Sequence, residues 1–566
     1  MTKFQDMVYQ RPDYDKLFGE MKTLLGSMEN AGSADELLKA MAELDKKGRY
    51  LSTQSSLCYV RYTINTKDAF YAAEKDVLDR ESPRFGEISS EAARIVLESP
   101  FRQDVAAKYG EHLLEKYEVQ RKVFKLEILD DLAEENKLKS EYQTLMASAE
   151  IEFEGETRNL SGMTPFMMSP DRDVRRRANQ AHWGWMAGQM DKLDSLYDQL
   201  VKVRDRIGKK LGYENFIPVA YARMGRTDWN QQDAKAYRDQ IVESVVPLTQ
   251  KLYKEQAARL GISDMKNYDY NLMFLTGNPT PKGEEGYLVE QAGIMYDELS
   301  PETSEFFRFM TGAGLMDLTT RPGKANGGYM TFFPDYKAPF IFSNFNGTAG
   351  DVDVLTHEAG HAFQGYLQRD VELSDLADYT SEVAEIHSMS MEFFTHPWMK
   401  RFFKEDTTKY YYSHVVSALN FLPYGASVDE LQEWVYENPE ATPEERRRKY
   451  REIERKYLPH IDYDGLEYLE NGGRWQKQLH LYMYPFYYLD YTLAQVCALQ
   501  YFIMDMEDHE NAWASYMAVC RESGRTPFKK LVPKHGLRSP FEPGAIAAIT
   551  PKLEQYLDTL DKSKIK

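Results

Sequence analysis

The segment Asp351–Tyr366, with the sequence DVDVLTHEAGHAFQGY, is the stretch from which the rest of the chain is interpreted. It contains an HExxH motif, in which Glu358 follows His357 directly and His361 comes four residues after the first histidine. Residues four apart lie on the same face of a helix, so both imidazoles can bind one metal ion. Zinc accepts imidazole nitrogen and acidifies a nearby water, whose proton the adjacent carboxylate can take. The alternative is a pair of structural histidines.

The residues around the motif favour a helix. Val352, Leu355, Ala359 and Phe363 fall roughly on one side of such a helix, as in an element that packs on a core. Gly360 is a weak helix former, and we expect its missing side chain to leave room where a metal or substrate approaches. The HExxH motif is therefore predicted to lie on a helix that packs on the core and can bind a metal ion.

A third metal ligand must come from elsewhere in the chain. In metzincins a third histidine follows the second by six residues, but Leu367 occupies that position here. The next segment rich in ligand residues is Asp378–Glu392, and Ser381 is a plausible N-cap of a helix within it. Spacing alone leaves four candidate ligands open, namely Glu382, Glu385, His387 and Glu392.

The HEAGH motif, followed by the helix-like segment SEVAEIHSMSME, resembles peptidase family M3, in particular its oligoendopeptidase F and Pz-peptidase members. The resemblance implies one zinc ion per chain, held by His357, His361 and Glu385. Glu382 is the second choice for the third ligand. We expect Glu382 and Glu392 to lie on an exposed face or to hydrogen bond to a ligand histidine.

Length and composition restrict the remaining classes. The 566 residues include 70 basic and 89 acidic side chains, and the formal charge of −19 argues against nucleic-acid binding. Three cysteines that form no CxxC pair indicate a reducing compartment without a disulfide framework. No apolar run approaches the length of a membrane span, and no signal peptide is visible. A cytoplasmic protein is the expectation.

Helical periodicity dominates the chain. The segments Tyr14–Met28, Ser33–Lys46, Ser52–Asp79 and Ser89–Ser99 predict an N-terminal helical lobe over residues 1–105. Residues 106–566 form the predicted peptidase region. The alternation of apolar and acidic residues over Ile151–Glu156 predicts one strand of a small hairpin.

One aromatic and glycine-rich region before the HExxH helix departs from helical periodicity. Tyr329–Phe333 and Phe340–Phe345 are predicted to be two short strands, and Pro339 predicts an edge position because proline cannot donate into a ladder. An extended peptide could pair with such an edge. The alternative is a small core hairpin, and the resemblance to family M3 favours the peptide-binding interpretation.

A second group of candidate catalytic residues, a histidine and several tyrosines, lies in the segment Gln478–Leu493. Pro485 predicts a helix start at that point, with His480 in the loop before it. One helical stripe is predicted to contain three tyrosines, namely Tyr484, Tyr488 and Tyr491. Such stripes usually belong to a core, but phenol and imidazole donors could also stabilise an oxyanion. The resemblance implies that oxyanion role, with Tyr491 fitting best, His480 next and Tyr484 after it.

The resemblance implies a mainly α fold of the zincin type. Two helical lobes would enclose a deep substrate channel, with a small β-sheet near the zinc helix. Glu358 would act as general base and then as proton donor to the leaving amine. The implied activity is cleavage of internal bonds in short, unfolded peptides by a protein for which a monomer is favoured. A zinc carboxydipeptidase and a non-catalytic helical peptide-binding protein remain the alternatives.

Overall fold

The computed structural model describes residues 2–321, 323–325 and 327–566. Within them the chain is mainly α-helical and its strands are confined to two small sheets, so the predicted fold class is confirmed. The helices of the N-terminal region are α1 (Tyr14–Glu29), α2 (Ala34–Ile64), α3 (Ala69–Glu98), α4 (Arg102–Tyr109) and α5 (Glu111–Arg121).

The middle of the chain adds further helices around the main hydrophobic core. They are α6 (Leu129–Ala147), α7 (Thr164–Met167), α8 (Arg172–Gly188), α9 (Met190–Leu211), α10 (Ile217–Arg223), α11 (Gln231–Gln240), α12 (Val246–Leu260), α13 (Glu285–Leu299) and α14 (Pro301–Ala313).

The C-terminal part carries the helices that form the site. They are α15 (Gly350–Leu367), α16 (Ser381–Phe394), α17 (Met399–Phe403), α18 (Thr407–Glu437), α19 (Pro443–Tyr457), α20 (Glu467–Glu470), α21 (Leu479–Met483), α22 (Tyr488–Glu507), α23 (His509–Glu522), α24 (Phe528–Lys534) and α25 (Ala545–Thr559). None of the helices in the described part of the chain is long and apolar enough to cross a membrane.

The N-terminal helices share a hydrophobic cluster of their own, which Leu373 and Leu376 from the loop between α15 and α16 also join. The predicted break between residues 46 and 52 is wrong, because α2 runs through it. The chain instead breaks at Asn65, and Asp68 caps α3 by accepting from the amides of the next turn. Helix α4 spans residue 105, and the domain boundary given there stays a prediction.

The strands form the two sheets near the positions that the sequence indicates. β1 (Ile151–Phe153) and β2 (Glu156–Arg158) make a small hairpin, as predicted. The predicted strand bounds are wrong, because the turn falls at residues 154–155 and Glu156 already belongs to the second strand. β3 (Met316–Thr319), β4 (Tyr329–Phe333) and β5 (Ala338–Phe345) make a sheet of order β3-β5-β4, in which β5 runs parallel to β3 and antiparallel to β4.

The prediction that Pro339 marks an edge strand is wrong for β5, which is the central strand. Pairing with β3 begins at Ile341, so Pro339 lies where only β4 is its neighbour, opposite Phe332. The missing amide of the proline therefore costs no bond to β3. Within the described residues the two edge strands of this sheet are β3 and β4.

Helix α15 begins at Gly350, after the turn that joins it to β5. Its inner face is buried as the sequence predicts, with Val352, Leu355, Ala359 and Phe363 all fully covered. Helices α16 and α22 cross in the same core. The site is therefore built on helices that pack directly against one another.

Candidate active site

Helix α15 presents both histidines of the HExxH motif on one face. The Nε2 atoms of His357 and His361 lie 3.2 Å and 3.4 Å from the same oxygen, Oε2 of Glu385. Ligand atoms of these three side chains all lie within 4.8 Å of one another. Two imidazole nitrogens and one carboxylate oxygen are a ligand set that suits zinc, with a coordination position left for water or substrate.

The approach of α16 to α15 depends on Gly360. A Cβ atom at this position would lie 2.5 Å from the carbonyl oxygen of His387 and 2.7 Å from Cα of Ser388. The expectation that Gly360 leaves room for a metal or substrate is therefore wrong. The glycine leaves room for the backbone of α16, two to three residues beyond Glu385.

Both carboxylate oxygens of Glu385 are oriented by hydroxyl groups. Ser388 Oγ donates to Oε2 over 2.9 Å, and the hydroxyl of Tyr487 donates to Oε1 over 3.1 Å. Burial alone would raise the pKa of Glu385, but His361 and His357 outweigh burial and hold that pKa well below its usual range. Glu385 is thus an ionised carboxylate aimed at both histidines.

Glu358 lies beside this group with one oxygen unused. The residue is 7% exposed, and within the described residues its Oε2 atom has no hydrogen-bond partner. Burial raises the pKa of Glu358, while His357 and His361 oppose the rise. A buried carboxylate oxygen without a partner is costly, which fits a position where a metal and a water complete the site.

Glu392 supports His357 from behind. His357 Nδ1 donates to Glu392 Oε1 over 2.7 Å, so its Nε2 lone pair points to the metal position. The other oxygen of Glu392 accepts from His414 Nε2 over 2.8 Å, and His414 Nδ1 lies 2.8 Å from His396 Nε2. Burial lowers the pKa of His414, but Glu392 outweighs burial and raises it. The expected hydrogen bond from Glu392 to a ligand histidine is present.

The other candidates for the third ligand point elsewhere. Glu382 is fully buried and accepts from Trp229 Nε1 over 2.9 Å, so the expectation of an exposed face or a bond to a ligand histidine is wrong for it. His387 lies 2.7 Å from Ser523 Oγ through its Nε2. The N-cap prediction for Ser381 is also wrong, because the preceding threonine occupies the N-cap position without a side-chain cap bond.

The prediction for His480 needs correction. His480 lies on α21, a five-residue helix, rather than in a loop, and the next helix starts at Tyr488 rather than near Pro485. Gln478 Nε2 donates to His480 Nδ1 over 2.9 Å, which leaves the proton of a neutral imidazole on Nε2. Burial lowers the pKa of His480 to about 4, so the ring is neutral at pH 7.

The predicted stripe of tyrosines wrongly includes Tyr484 and omits Tyr487, which contacts the proposed metal ligand Glu385. Tyr484 precedes α22 and is 53% exposed, so it does not share a helix face with Tyr488 and Tyr491. Tyr487 instead contacts Glu385, and its ring centroid lies 5.1 Å from that of Tyr491. No local periodicity could have identified Tyr487, because it lies just before the helix begins.

Tyr491 faces the same group of charges. Its ring centroid lies 5.5 Å from that of His480, with the two rings nearly perpendicular. Burial raises the pKa of Tyr491, and the negative charges of Glu385 and Glu358 raise it further, so its hydroxyl keeps its proton at neutral pH.

An HExxH helix crossed by a glutamate helix, within a mainly α fold, defines a metallopeptidase.

Comparisons with known proteins agree with that class. Residues 4–124 match the model of the peptidase M3 N-terminal domain, and residues 297–536 match that of peptidase family M3. A structure of PZ peptidase A with an inhibitor is 48% identical, with full coverage of both chains (100% of each) and a TM-score of 0.96. A candidate oligoendopeptidase F from Bacillus anthracis strain Ames is 45% identical over 100% of this chain and 99% of that one, with a TM-score of 0.91.

The chromosomal oligoendopeptidase F of Lactococcus lactis subsp. cremoris is 26% identical over 229 residues, which is 40% of this chain and 36% of that relative. The chain belongs to peptidase family M3. Metallopeptidases of this family are generally zinc-dependent, and the His357, His361 and Glu385 group could hold such a metal.

Proposed function

We propose that this protein is a zinc-dependent endopeptidase that cleaves internal bonds of short, unfolded peptides. The observation that carries the proposal is the convergence of His357, His361 and Glu385 on one point beside the unused oxygen of Glu358. Zinc at that point would supply a Lewis acid that acidifies water and polarises an amide carbonyl.

Glu358 is the proposed proton carrier. Its unpartnered Oε2 takes the proton from the attacking water and delivers it to the leaving amine nitrogen. Tyr491 keeps its phenolic proton, and the neutral ring of His480 carries a proton on Nε2. Both are therefore hydrogen-bond donors for the oxygen on which negative charge develops. Tyr484 remains a weaker candidate for this role.

Strand β4 is the proposed binding edge for the peptide backbone. Tyr329 and Thr331 bond to α2 through their side chains, and Phe332 packs on α15 near Gly365. In the described chain the outer edge of β4 pairs with no other strand. An ideal Cβ at Gly328, just before β4, would lie 3.6 Å from Glu358 Oε1. A peptide paired along this edge would reach Glu358 with its backbone, largely irrespective of side chains.

The first experiment measures metal content together with cleavage of an internally quenched peptide blocked at both ends. We expect one zinc per chain, and internal cleavage that chelation abolishes and zinc restores. Zinc without cleavage of the blocked peptide, but with release of dipeptides from a free C-terminus, would replace the proposal with a carboxydipeptidase. Absence of stoichiometric metal would leave a helical peptide-binding protein.

A matched pair of variants tests the third ligand. Glu385→Gln should lose zinc, whereas Glu382→Gln should retain it, because a glutamine amide oxygen can still accept the bond from Trp229. If the second variant lost the metal and the first kept it, the proposed ligand set would be wrong.

We further propose a monomer in the cytoplasm that works on free peptides. The three cysteines are buried and unpaired, as in proteins of a reducing compartment. Helical lobes around a narrow channel would exclude folded proteins. Sedimentation of the purified protein tests the monomer, and its failure to cleave a folded protein that contains a susceptible peptide sequence tests the channel.

A further inference from the structure

The turn between α21 and α22 holds a backbone conformation that its residue disfavours. Phe486 has a φ of 67°, in the left-handed region that residues with a Cβ rarely adopt. The whole residue is only 1% exposed, so Phe486 is packed as part of the core. Conformations of this kind persist where the surrounding structure holds them, and they cluster at functional sites.

Both backbone polar groups of Phe486 are held by side chains from distant elements. The amide donates to Oε1 of Gln432 on α18 over 2.9 Å. The carbonyl accepts from Nη2 of Arg226 over 2.8 Å, and the same nitrogen donates to Oδ1 of Asp490 over 2.6 Å. Gln432 and Asp490 are fully buried and Arg226 is nearly so, which removes water as a competitor for these bonds.

The residue after the turn is the one that touches the metal group. Tyr487 follows Phe486 and donates its hydroxyl to Oε1 of Glu385 over 3.1 Å. That bond occupies one carboxylate oxygen and leaves Oε2 facing both histidines. Asp490, which Arg226 also binds, immediately precedes Tyr491. One arginine thus ties the strained turn to the start of α22.

We propose that Gln432 and Arg226 are positioning residues for the metal site. They hold Phe486 in the left-handed conformation, which places the Tyr487 hydroxyl on Glu385 and fixes the orientation of that carboxylate. The proposal rests on the proposed role of Glu385 as a metal ligand. Neither Gln432 nor Arg226 bonds to the three ligand side chains, so both act through Tyr487.

The test replaces Gln432 by methionine, which has a similar shape but cannot accept the amide bond. Zinc affinity is measured by competition with a chromophoric chelator, and stability by urea unfolding of the metal-free protein. Gln432→Met should bind zinc about 10- to 100-fold more weakly, as when outer partners of metal ligands are lost. It should lower kcat with little change in KM, since the binding edge at β4 is intact.

Gln256→Met is the matched control. Gln256 is a buried glutamine on α12 that donates to the carbonyls of Tyr270 and Leu272, away from the metal group. The Gln256→Met variant should have a lower free energy of unfolding but wild-type zinc affinity. If Gln432→Met and Gln256→Met bound zinc with equal affinity, the positioning role of Gln432 would be overturned. If the wild-type chain bound no zinc, the proposed zinc-dependent function itself would be overturned.

A double-mutant cycle tests whether Gln432 acts through Tyr487. In a Tyr487→Phe background, Gln432→Met should weaken zinc binding by less than about threefold further, because the bond that it positions is already gone. If the decreases in zinc affinity caused by the two substitutions multiplied fully in the double variant, Gln432 would not act through Tyr487.

A second pair of variants applies if Gln432→Met does not fold. Phe486→Gly and Phe486→Ala both remove the ring, but only glycine adopts a positive φ freely. The glycine variant should therefore bind zinc several-fold more tightly than the alanine variant. Equal affinities, or weaker binding by the glycine variant, would refute a held left-handed turn.

Discussion

Replacing Gly360 by alanine tests how the two helices of the metal site depend on one glycine. The added Cβ would lie 2.5 Å from the carbonyl oxygen of His387 and 2.7 Å from Cα of Ser388, whereas ordinary contacts begin at 3.4 Å. The closer contact is thus about 0.9 Å too short. Both neighbours are backbone atoms of α16, so no side-chain rotation can relieve the overlap.

The expected cost follows from that overlap. Overpacking of a core costs about 1–3 kcal/mol, and contacts with a fixed backbone belong to the upper part of that range. Replacing glycine by alanine in a helix returns up to about 1 kcal/mol. We therefore expect Gly360→Ala to lower the free energy of unfolding of the metal-free protein by about 1–2 kcal/mol.

The effect on metal binding should exceed the effect on stability. Moving α16 away from α15 carries Glu385 away from the two histidines, and metal sites tolerate distance changes of only about 0.2 Å. Zinc affinity, measured against a chromophoric chelator, should fall by at least about tenfold. Gly365→Ala on the same helix is the control, since its Cβ meets the nearest atom, on Phe332, at an ordinary 3.4 Å. If both variants bound zinc equally well and unfolded alike, the proposed role of the helix crossing would be refuted.

Three further outcomes are expected. Glu358→Gln should retain zinc but lower kcat by roughly 10²- to 10⁴-fold, and near-normal turnover would contradict its role as proton carrier. Glu392→Met should weaken zinc binding about 10- to 100-fold, because methionine offers no oxygen to accept the bond from His357 Nδ1; unchanged affinity would show that this bond is dispensable. Burial lowers the pKa of His182 to about 4 and that of His460 to about 3, whereas unfolded histidines titrate at about 6.5. The unfolded chain therefore takes up protons first as the pH falls, and each histidine should remove about 1.4 kcal/mol from the free energy of unfolding per pH unit between about pH 6 and pH 4. The free energy of unfolding of a variant with both His182→Gln and His460→Gln, measured by urea unfolding at several pH values, should depend less steeply on pH, by the equivalent of about two protons. An unchanged dependence on pH would rule out this origin of acid sensitivity.

Local patterns were sufficient for the elements that depend on neighbours in the sequence. The HExxH helix and its buried face follow from helical periodicity alone, and strand alternation indicates a small hairpin that begins at Ile151, though not the bounds of its strands. The spacing of His357 and His361 places both rings on one face in any α-helix, whatever surrounds it. The position of Glu358 directly after the first histidine likewise predicts a carboxylate near a metal-bound water, and its role as proton carrier stays a prediction.

Errors arose where the deciding contact joins distant parts of the chain. The missing side chain of Gly360 predicts space for a ligand, but its neighbour is the backbone of α16. Pro339 indicated an edge strand, but β3 joins β5 two residues later and makes it central. Helical spacing predicts a stripe that includes Tyr484, but the left-handed residue Phe486 delays the start of α22 and has no sequence signal of its own.

The sequence by itself determined the mainly helical class, the metal-binding motif and a short set of carboxylates from which the third ligand could come. Spacing left them equivalent and the resemblance to family M3 favoured Glu385. The tertiary structure shows what each one contacts, since Glu382, Glu385 and Glu392 share one helix but face Trp229, the two histidines and the back of His357 respectively. Local rules fix which residues share a helix face because that geometry is set within a few bonds. What each face meets depends on how α16 packs on α15 and α22, and that packing is a property of the whole chain.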